Sequence, residues 1–267
     1  MTDSHRLPPD VHERIFRERI VPELLTSAAP QTHPVAILLG GQPGVGKSST
    51  KGALHEALVS RGGAVDFSAD LMRPYHTGFT DLLRGDERVL RDLDTAIDED
   101  ARAWVDKAVA YASDRRINVI FDSNLANAER ARSIIAQFTD AGYQTEVVFI
   151  AGSSALSRLG VLERYQRQIE EQGIGAYCPP KIHDRNYQGV LGTAKLIDTG
   201  EIVVDAVNVY RRGGGNPLHT NRRNAHRHWV NEPCAQQAIA DERLRPWSPT
   251  ESSWFISKAT DLADRLA

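Results

Sequence analysis

The stretch Val35–Thr50, VAILLGGQPGVGKSST, constrains the fold more than any other part of the chain. The apolar run Val35–Leu39 leads into Gly41, Gln42, Pro43, Gly44, Val45, Gly46, Lys47 and Ser48, a full match to the phosphate-binding loop G-x-x-x-x-G-K-[ST]. Such a loop works between a strand and a helix. Its glycines let successive backbone N–H groups turn inward around phosphate oxygens, and the following helix adds the positive end of its dipole. The helix-compatible segment Ser48–Ser60 supplies that context. Lys47 offers a point charge to the β- and γ-phosphates, Ser48 a hydroxyl to a magnesium ion, and Ser49 extends the nucleotide-binding segment. The loop therefore implies an α/β chain that binds a nucleoside triphosphate, taken here as ATP with Mg2+.

A chain of 267 residues can bury the core of one such domain without staples, and 41% hydrophobic with 25% charged residues excludes large-scale disorder. A net charge of −3 speaks against a general nucleic-acid binder. Cys178 and Cys234 are too few and too isolated for a metal or disulfide framework, which fits a reducing, cytoplasmic setting. The N-terminus carries charges and prolines where a signal peptide needs an apolar core, and no run approaches the ~18 apolar residues of a membrane span.

Helical spacing of Val11, Ile15, Ile20, Leu24 and Leu25 predicts an N-terminal helix over 9–25, and the core starts at 35. Ala64–Phe67 reads as a short strand that delivers Asp70 and Arg73 to its C-terminal end, where open α/β sheets bind ligands. Residues 79–114 are helical in character, with Leu82, Leu83, Val89, Leu90, Leu93, Ile97, Trp104, Val105 and Val109 at three- and four-residue spacings. Ile117–Phe121 is a buried-strand pattern ending in Asp122, Ser123 and Asn124. A crossover helix, Ala126–Ala141, and a strand, Gln144–Ile150, come next. The alternation predicts a mostly parallel, five-stranded sheet with helices on both faces, linked by right-handed crossovers. Further helices are expected over Ser154–Glu171, broken by Gly173–Pro180, and over Lys181–Asp198. Glu201–Tyr210 is the last strand expected, and 213–267 reads as a loop-rich extension of the same domain with a terminal helix, Glu251–Leu266.

A kinase of small molecules needs a carboxylate near the γ-phosphate to accept the hydroxyl proton, and Asp70 stands after the second strand as Lys47 stands after the first. It can equally cap a short helix before Leu71 and Met72. Asp122, at the tip of an apolar strand, has the position from which phosphate-loop proteins bind magnesium through water, or it holds substrate, or it simply turns the chain. Arg164 and Arg167 share a helix face from which one can reach charge developing on the transferred phosphoryl group; Arg158 and Arg167 also read as solvated helix charges. Asp106 by pattern alone is a surface charge.

The residues resemble the zeta toxins, phosphate-loop kinases of toxin–antitoxin systems. The resemblance covers roughly 35–212 and rests on Gly41–Ser48, on Asp70-Leu71-Met72-Arg73-Pro74-Tyr75-His76, on Leu159-Gly160-Val161-Leu162-Glu163-Arg164-Tyr165, and on Pro180-Lys181-Ile182-His183-Asp184. It implies a zeta-toxin-like kinase domain over 1–212 that phosphorylates a hydroxyl of a UDP-activated N-acetyl amino sugar, UDP-N-acetylglucosamine in the first instance. Asp70 would be the base, Lys47 and Ser48 the phosphate and magnesium ligands, and Arg164 a clamp. Arg73, Asp106, Asp122 and Asn124 would face the acceptor, and a small helical antitoxin would cover the nucleotide site. The chain departs from the family at three points. It has Ala126 where a substrate-binding arginine is expected, Tyr177 near the place of a second lid arginine, and Asp106 in place of a glutamate. Each missing arginine removes charge-assisted hydrogen bonds worth roughly 1.5–3 kcal/mol, enough to move acceptor preference toward another nucleotide sugar, a dinucleotide or a free sugar. A nucleotide-hydrolysing switch and a catalytically idle binding protein are the readings from other classes.

Overall fold

The apolar runs become strands of a six-stranded sheet of order β2-β3-β1-β4-β5-β6, in a computed structural model that describes residues 5–84, 91–173, 175 and 177–266. Of the positions singled out above, Val89 and Leu90 lie outside the described residues, as do Ile174 and Ala176 in the break before Pro180. In chain order the elements are α1 (Pro9–Ile15), α2 (Val21–Leu24), β1 (Val35–Gly40), α3 (Lys47–Leu58), β2 (Val65–Phe67), α4 (Ala69–Met72), α5 (Phe79–Arg84) and α6 (Arg91–Arg115). They continue with β3 (Val119–Asp122), α7 (Ala128–Asp140), β4 (Gln144–Ala151), α8 (Ser154–Gln172), α9 (Pro180–Asp198), β5 (Ala206–Arg211), β6 (His219–Arg222), α10 (Ala235–Leu244) and α11 (Pro249–Leu266). The expected count of five strands is corrected to six. The extra one is β6, which pairs antiparallel with β5 (Val207 with Asn221), while β2–β3 and β4–β5 are parallel.

The chain forms two compact units, each discontinuous in sequence. The first holds residues up to Ile37, Leu54–Ser123 and Gln137–Gln144. Here α1 runs through a wider π-type turn, Phe16–Ile20, into α2. Pro22 has no N–H to give the preceding turn, and the ladder loosens where that bond would fall. Ile15, Phe16, Ile20 and Leu25 are buried, as are Leu93, Ile97, Trp104, Val105 and Val109 of α6, so the helical spacing read in the sequence is the spacing of the core. The polar tie is Asp100, 1% exposed, whose carboxylate accepts from Arg6 Nε (2.7 Å) and the Leu7 N–H (2.9 Å). His12 stacks on Trp104 with ring centroids 4.6 Å apart, and its Nε2 donates to the Asp100 carbonyl (3.1 Å). Burial holds the His12 imidazole below its usual pKa, as suits a ring whose Nδ1 accepts from the Lys107 ammonium (3.0 Å).

The second unit holds Leu38–Ala53, Asn124–Ala136 and Thr145–Ala267. Its strands β4 and β5 register Val147 with Val207 and Ile150 with Tyr210, and Val147, Ile150, Val207 and Val209 are buried. The stretch read as loop-rich contains β6 and α10 as well as the expected terminal helix. Cys234 stands at the N-terminus of α10 without capping it; Asp198 does so instead, accepting from the Ala235 N–H (3.0 Å) and the Gln236 N–H (2.8 Å). No described helix is long and apolar enough to cross a membrane.

Candidate nucleotide site

The phosphate loop leaves β1, whose six residues are all buried, and turns at once. Gly44 adopts φ +75° and Gly46 φ +99°, a region closed to most side chains, so the loop can present consecutive N–H groups on one side. Gly44 is also a contact. A Cβ there would stand 2.0 Å from the Ser157 carbonyl oxygen, and a Cβ on Gly160 would stand 2.2 Å from the Gly44 oxygen. The loop and α8 therefore meet backbone to backbone, and this is the physical role of Gly160 within the stretch Leu159–Tyr165. Gly160→Ala forces its methyl onto a main-chain oxygen that cannot rotate away. We expect a loss of about 1–3 kcal/mol in denaturant unfolding together with weaker ATP binding in titration calorimetry. Wild-type values for both would show that loop and helix do not bear on each other.

Lys47 opens α3 with its ammonium already engaged: Nζ donates to the Gly41 carbonyl (3.0 Å) and to Asn124 Oδ1 (3.1 Å). The Gly41 N–H in turn donates to the Asn124 carbonyl (3.1 Å). Asn124 thus grips both ends of the loop. It is aimed there by Leu125, which sits at φ +50°, a left-handed conformation that costs a bulky residue of order 1–3 kcal/mol. Burial of Leu125 against Gly40, where a Cβ would meet its Cδ1 at 2.7 Å, holds the turn in place. Ser48 and Ser49 are exposed in the first turn of α3, and Ser49 Oγ donates to the Gly46 carbonyl (3.0 Å).

Arg164 follows Gly160 by four residues and so lies on the α8 face that abuts the loop. Its Nε is buried and has no hydrogen-bond partner among the described residues. Arg167 is exposed, and Arg158 is exposed and bonded to both oxygens of Asp184 (2.7 and 2.9 Å), so the three arginines separate by environment. Two further arginines, without motif or spacing to betray them in the sequence, reach the loop. Arg212, just after β5, donates to the Gly44 carbonyl (2.7 Å) and the Leu156 carbonyl (3.3 Å) and lies 3.6 Å from the Glu163 carboxylate. Arg243 of α10 donates to Gln42 Oε1 (3.1 Å). The Gln42 amide, fully buried, donates to the Gly152 carbonyl (3.0 Å) and reaches Ser157 Oγ (3.4 Å), which is bonded to His183 Nε2 (2.8 Å).

Asp70, Arg73, Asp106 and Asp122 belong to the first unit. Asp70 is exposed in the first turn of α4, and the cap of that helix is Ser68, whose Oγ accepts from the Leu71 N–H (3.1 Å). The capping role is therefore taken by another residue. Arg73 is engaged by Asp94 (2.5 Å) and Asp98 (3.5 Å) of α6. Asp106 is exposed on α6, and Asp122 ends β3 half-buried. Among the described residues no group of three or more His, Cys, Asp or Glu is arranged to hold a metal. The donor set fits magnesium carried on a nucleotide, where one hydroxyl such as that of Ser48 and phosphate oxygens serve, rather than an all-protein cage.

The zeta toxin family model matches residues 22–224. Toxin zeta of Enterococcus hirae is 25% identical over 174 residues, covering 64% of this chain and 59% of the relative. Toxin PezT of Streptococcus pneumoniae serotype 4 is 26% identical over 150 residues, covering 56% and 57%. The chain thus spans about three fifths of the length of these curated relatives. Among solved structures, one from the PezAT chromosomal toxin–antitoxin system of Streptococcus pneumoniae superposes with a TM-score of 0.80 at 18% identity, over 98% of this chain and 99% of the other. A chain of the AvrRxo1-ORF1:AvrRxo1-ORF2 complex gives 0.61 at 15% identity, over 90% and 74%. These likenesses extend the shared fold over nearly the whole chain. With the family model spanning β1, the phosphate loop, the arginine-bearing helix α8 and β5, the chain belongs to the zeta toxin family.

Proposed function

We propose that the chain is a kinase that moves the γ-phosphate of ATP to a hydroxyl of a small nucleotide-linked acceptor, UDP-N-acetylglucosamine in the first instance, acting in the cytoplasm as a zeta-type toxin. The observation that carries this reading is the loop Gly41–Ser48 with Lys47 fixed on Gly41 and Asn124, beside a helix that brings the unpartnered Arg164 Nε to the same face. In the proposed reaction Lys47 and the loop N–H groups hold the β- and γ-phosphates. The Asp70 carboxylate takes the hydroxyl proton as that oxygen bonds to phosphorus, the bond to the bridging oxygen breaks, and ADP departs. Arg164 meets the charge that builds on the phosphoryl oxygens, with Arg167 further along the helix. Magnesium, held by Ser48 and Asp122, would neutralise phosphate charge. Arg73, Asp106, Asp122 and Asn124 are proposed to orient the acceptor. A small helical antitoxin is the proposed protein partner; two structural relatives come from a toxin–antitoxin system and a two-protein complex.

Radiolabelled ATP incubated with the protein and UDP-N-acetylglucosamine, other nucleotide sugars, dinucleotides or free sugars tests the reading. Label in the UDP sugar supports it, and label only in another acceptor keeps the kinase and overturns the substrate. Free phosphate alone would make the chain a hydrolase. Arg164→Ala should lower kcat about 10²-fold with the KM for ATP nearly unchanged, as for a contact that strengthens in the transition state, while Arg167→Ala changes kcat less. Normal turnover in Arg164→Ala would remove that residue from the catalytic assignment.

A further inference from the structure

Helix α10 lies beyond residues 22–224, yet it delivers a cation to the back of the phosphate loop. Both of its ends are tied to neighbouring elements. Asp198 caps its start, and near its end Glu242 accepts from Arg211 Nε and NH2 (both 3.0 Å) while Arg245 joins Glu242 to Glu251 (2.6 Å). The Glu251 carboxyl, held by Arg245, is pulled down to about 2. The neighbouring carboxylate is thus committed elsewhere, and Arg243 between these ties is 6% exposed with no acidic partner among the described residues. Its guanidinium lies 3.8 Å from the centroid of the Tyr187 ring and, among the described residues, donates only to Gln42, while Nε and NH1 are buried without partners. Burial pushes it down to about 10, which still leaves it charged at neutral pH.

A buried, unneutralised cation costs free energy in the empty protein, because water is gone and no anion replaces it. That cost falls when a polyanion binds nearby. We propose that Arg243 is a positioning residue of the nucleotide site: through Gln42 it fixes the phosphate loop, and its unneutralised charge makes part of the triphosphate affinity while destabilising the empty protein. The proposal rests on ATP binding at Gly41–Ser48. It makes α10 part of the nucleotide site, and it separates two quantities that a packing residue changes together. By linkage, whatever raises the free energy of the empty state relative to the bound state tightens binding.

The test uses the full chain as wild type, Arg243→Met, Arg243→Lys and Lys47→Ala, with ATP titrated by calorimetry and thermal melts recorded without nucleotide. Arg243→Met should bind ATP about 10-fold more weakly yet melt at or above the wild-type temperature, and Arg243→Lys should bind between the two. Unchanged affinity in Arg243→Met, or an affinity loss accompanied by a lower melting temperature, overturns the proposal. Should Arg243→Met fail to fold, Arg243→Gln removes the charge while keeping a donor for Gln42 Oε1. Weaker ATP binding with a higher melting temperature then supports the proposal, and unchanged binding rejects it. Wild-type protein that does not bind ATP, or Lys47→Ala that binds it normally, would instead remove the nucleotide reading itself.

Discussion

Asp70→Asn is expected to lower phosphoryl transfer by about 10²–10⁴-fold while ATP affinity stays near wild type. The substitution keeps the side chain's size and hydrogen-bonding reach and removes only its basicity. Nothing else should change with it. Asp70 is exposed, and the N-terminus of α4 is capped by Ser68, so neither burial nor the helix depends on the carboxylate. Steady-state transfer to the acceptor found in the labelling experiment, with calorimetry for ATP, reads both quantities. Transfer that survives in Asp70→Asn would sink the assignment of the base, whatever the acceptor is.

Lys47→Ala is expected to weaken ATP binding at least about 100-fold without unfolding the chain. Each charge-assisted hydrogen bond from Nζ to a phosphate oxygen is worth roughly 1.5–3 kcal/mol, and two of them exceed the roughly 2.7 kcal/mol that a hundredfold represents. The loop should keep its path. Gln42 remains tied to Gly152 and Arg243, Gly44 to Arg212, and Gly41 to the Asn124 carbonyl, none of which uses the lysine. Titration calorimetry beside a thermal melt separates binding from folding. Wild-type affinity in this variant would mean that Gly41–Ser48 is not where the phosphates go.

The parts of the fold legible in the sequence are those in which a strong local signal and the tertiary context agree. Val35–Leu39, Ile117–Phe121 and the Val147–Ile150 part of Gln144–Ile150 are apolar enough to be strands buried on both faces, and the glycine pattern fixes the turn after the first of them. β6, His219–Arg222, was not legible. It is a short edge strand with polar residues and mixed exposure, held by pairing with β5 rather than by any propensity of its own. α10 escaped for a related reason: its ten residues include only Ile239 and Leu244 as large aliphatic side chains, and Leu244 is exposed. Within the site, Lys47 and Arg164 carry motifs. Arg212 and Arg243 are lone arginines whose importance arises only when distant segments of the second unit meet, and Asn124 has the look of a loop residue until its carbonyl and side chain are seen on the loop. Asp70 is ambiguous between base and cap in the sequence because Asp serves both; the hydroxyl of Ser68, two residues earlier, resolves the cap.

The grip of Asn124 on Lys47 bears on when an entropic penalty falls. A lysine side chain free in solvent has about 2 kcal/mol of rotamer freedom to lose on immobilisation. In this chain protein groups themselves hold the ammonium, between the Gly41 carbonyl and Asn124 Oδ1, so that loss falls to folding and not to binding. An incoming triphosphate meets a charge whose direction is already set, and its arrival need only exchange one set of oxygen partners for another. The strained turn at Leu125 that aims Asn124 is, in these terms, a store of order laid down during folding and drawn on by the ligand.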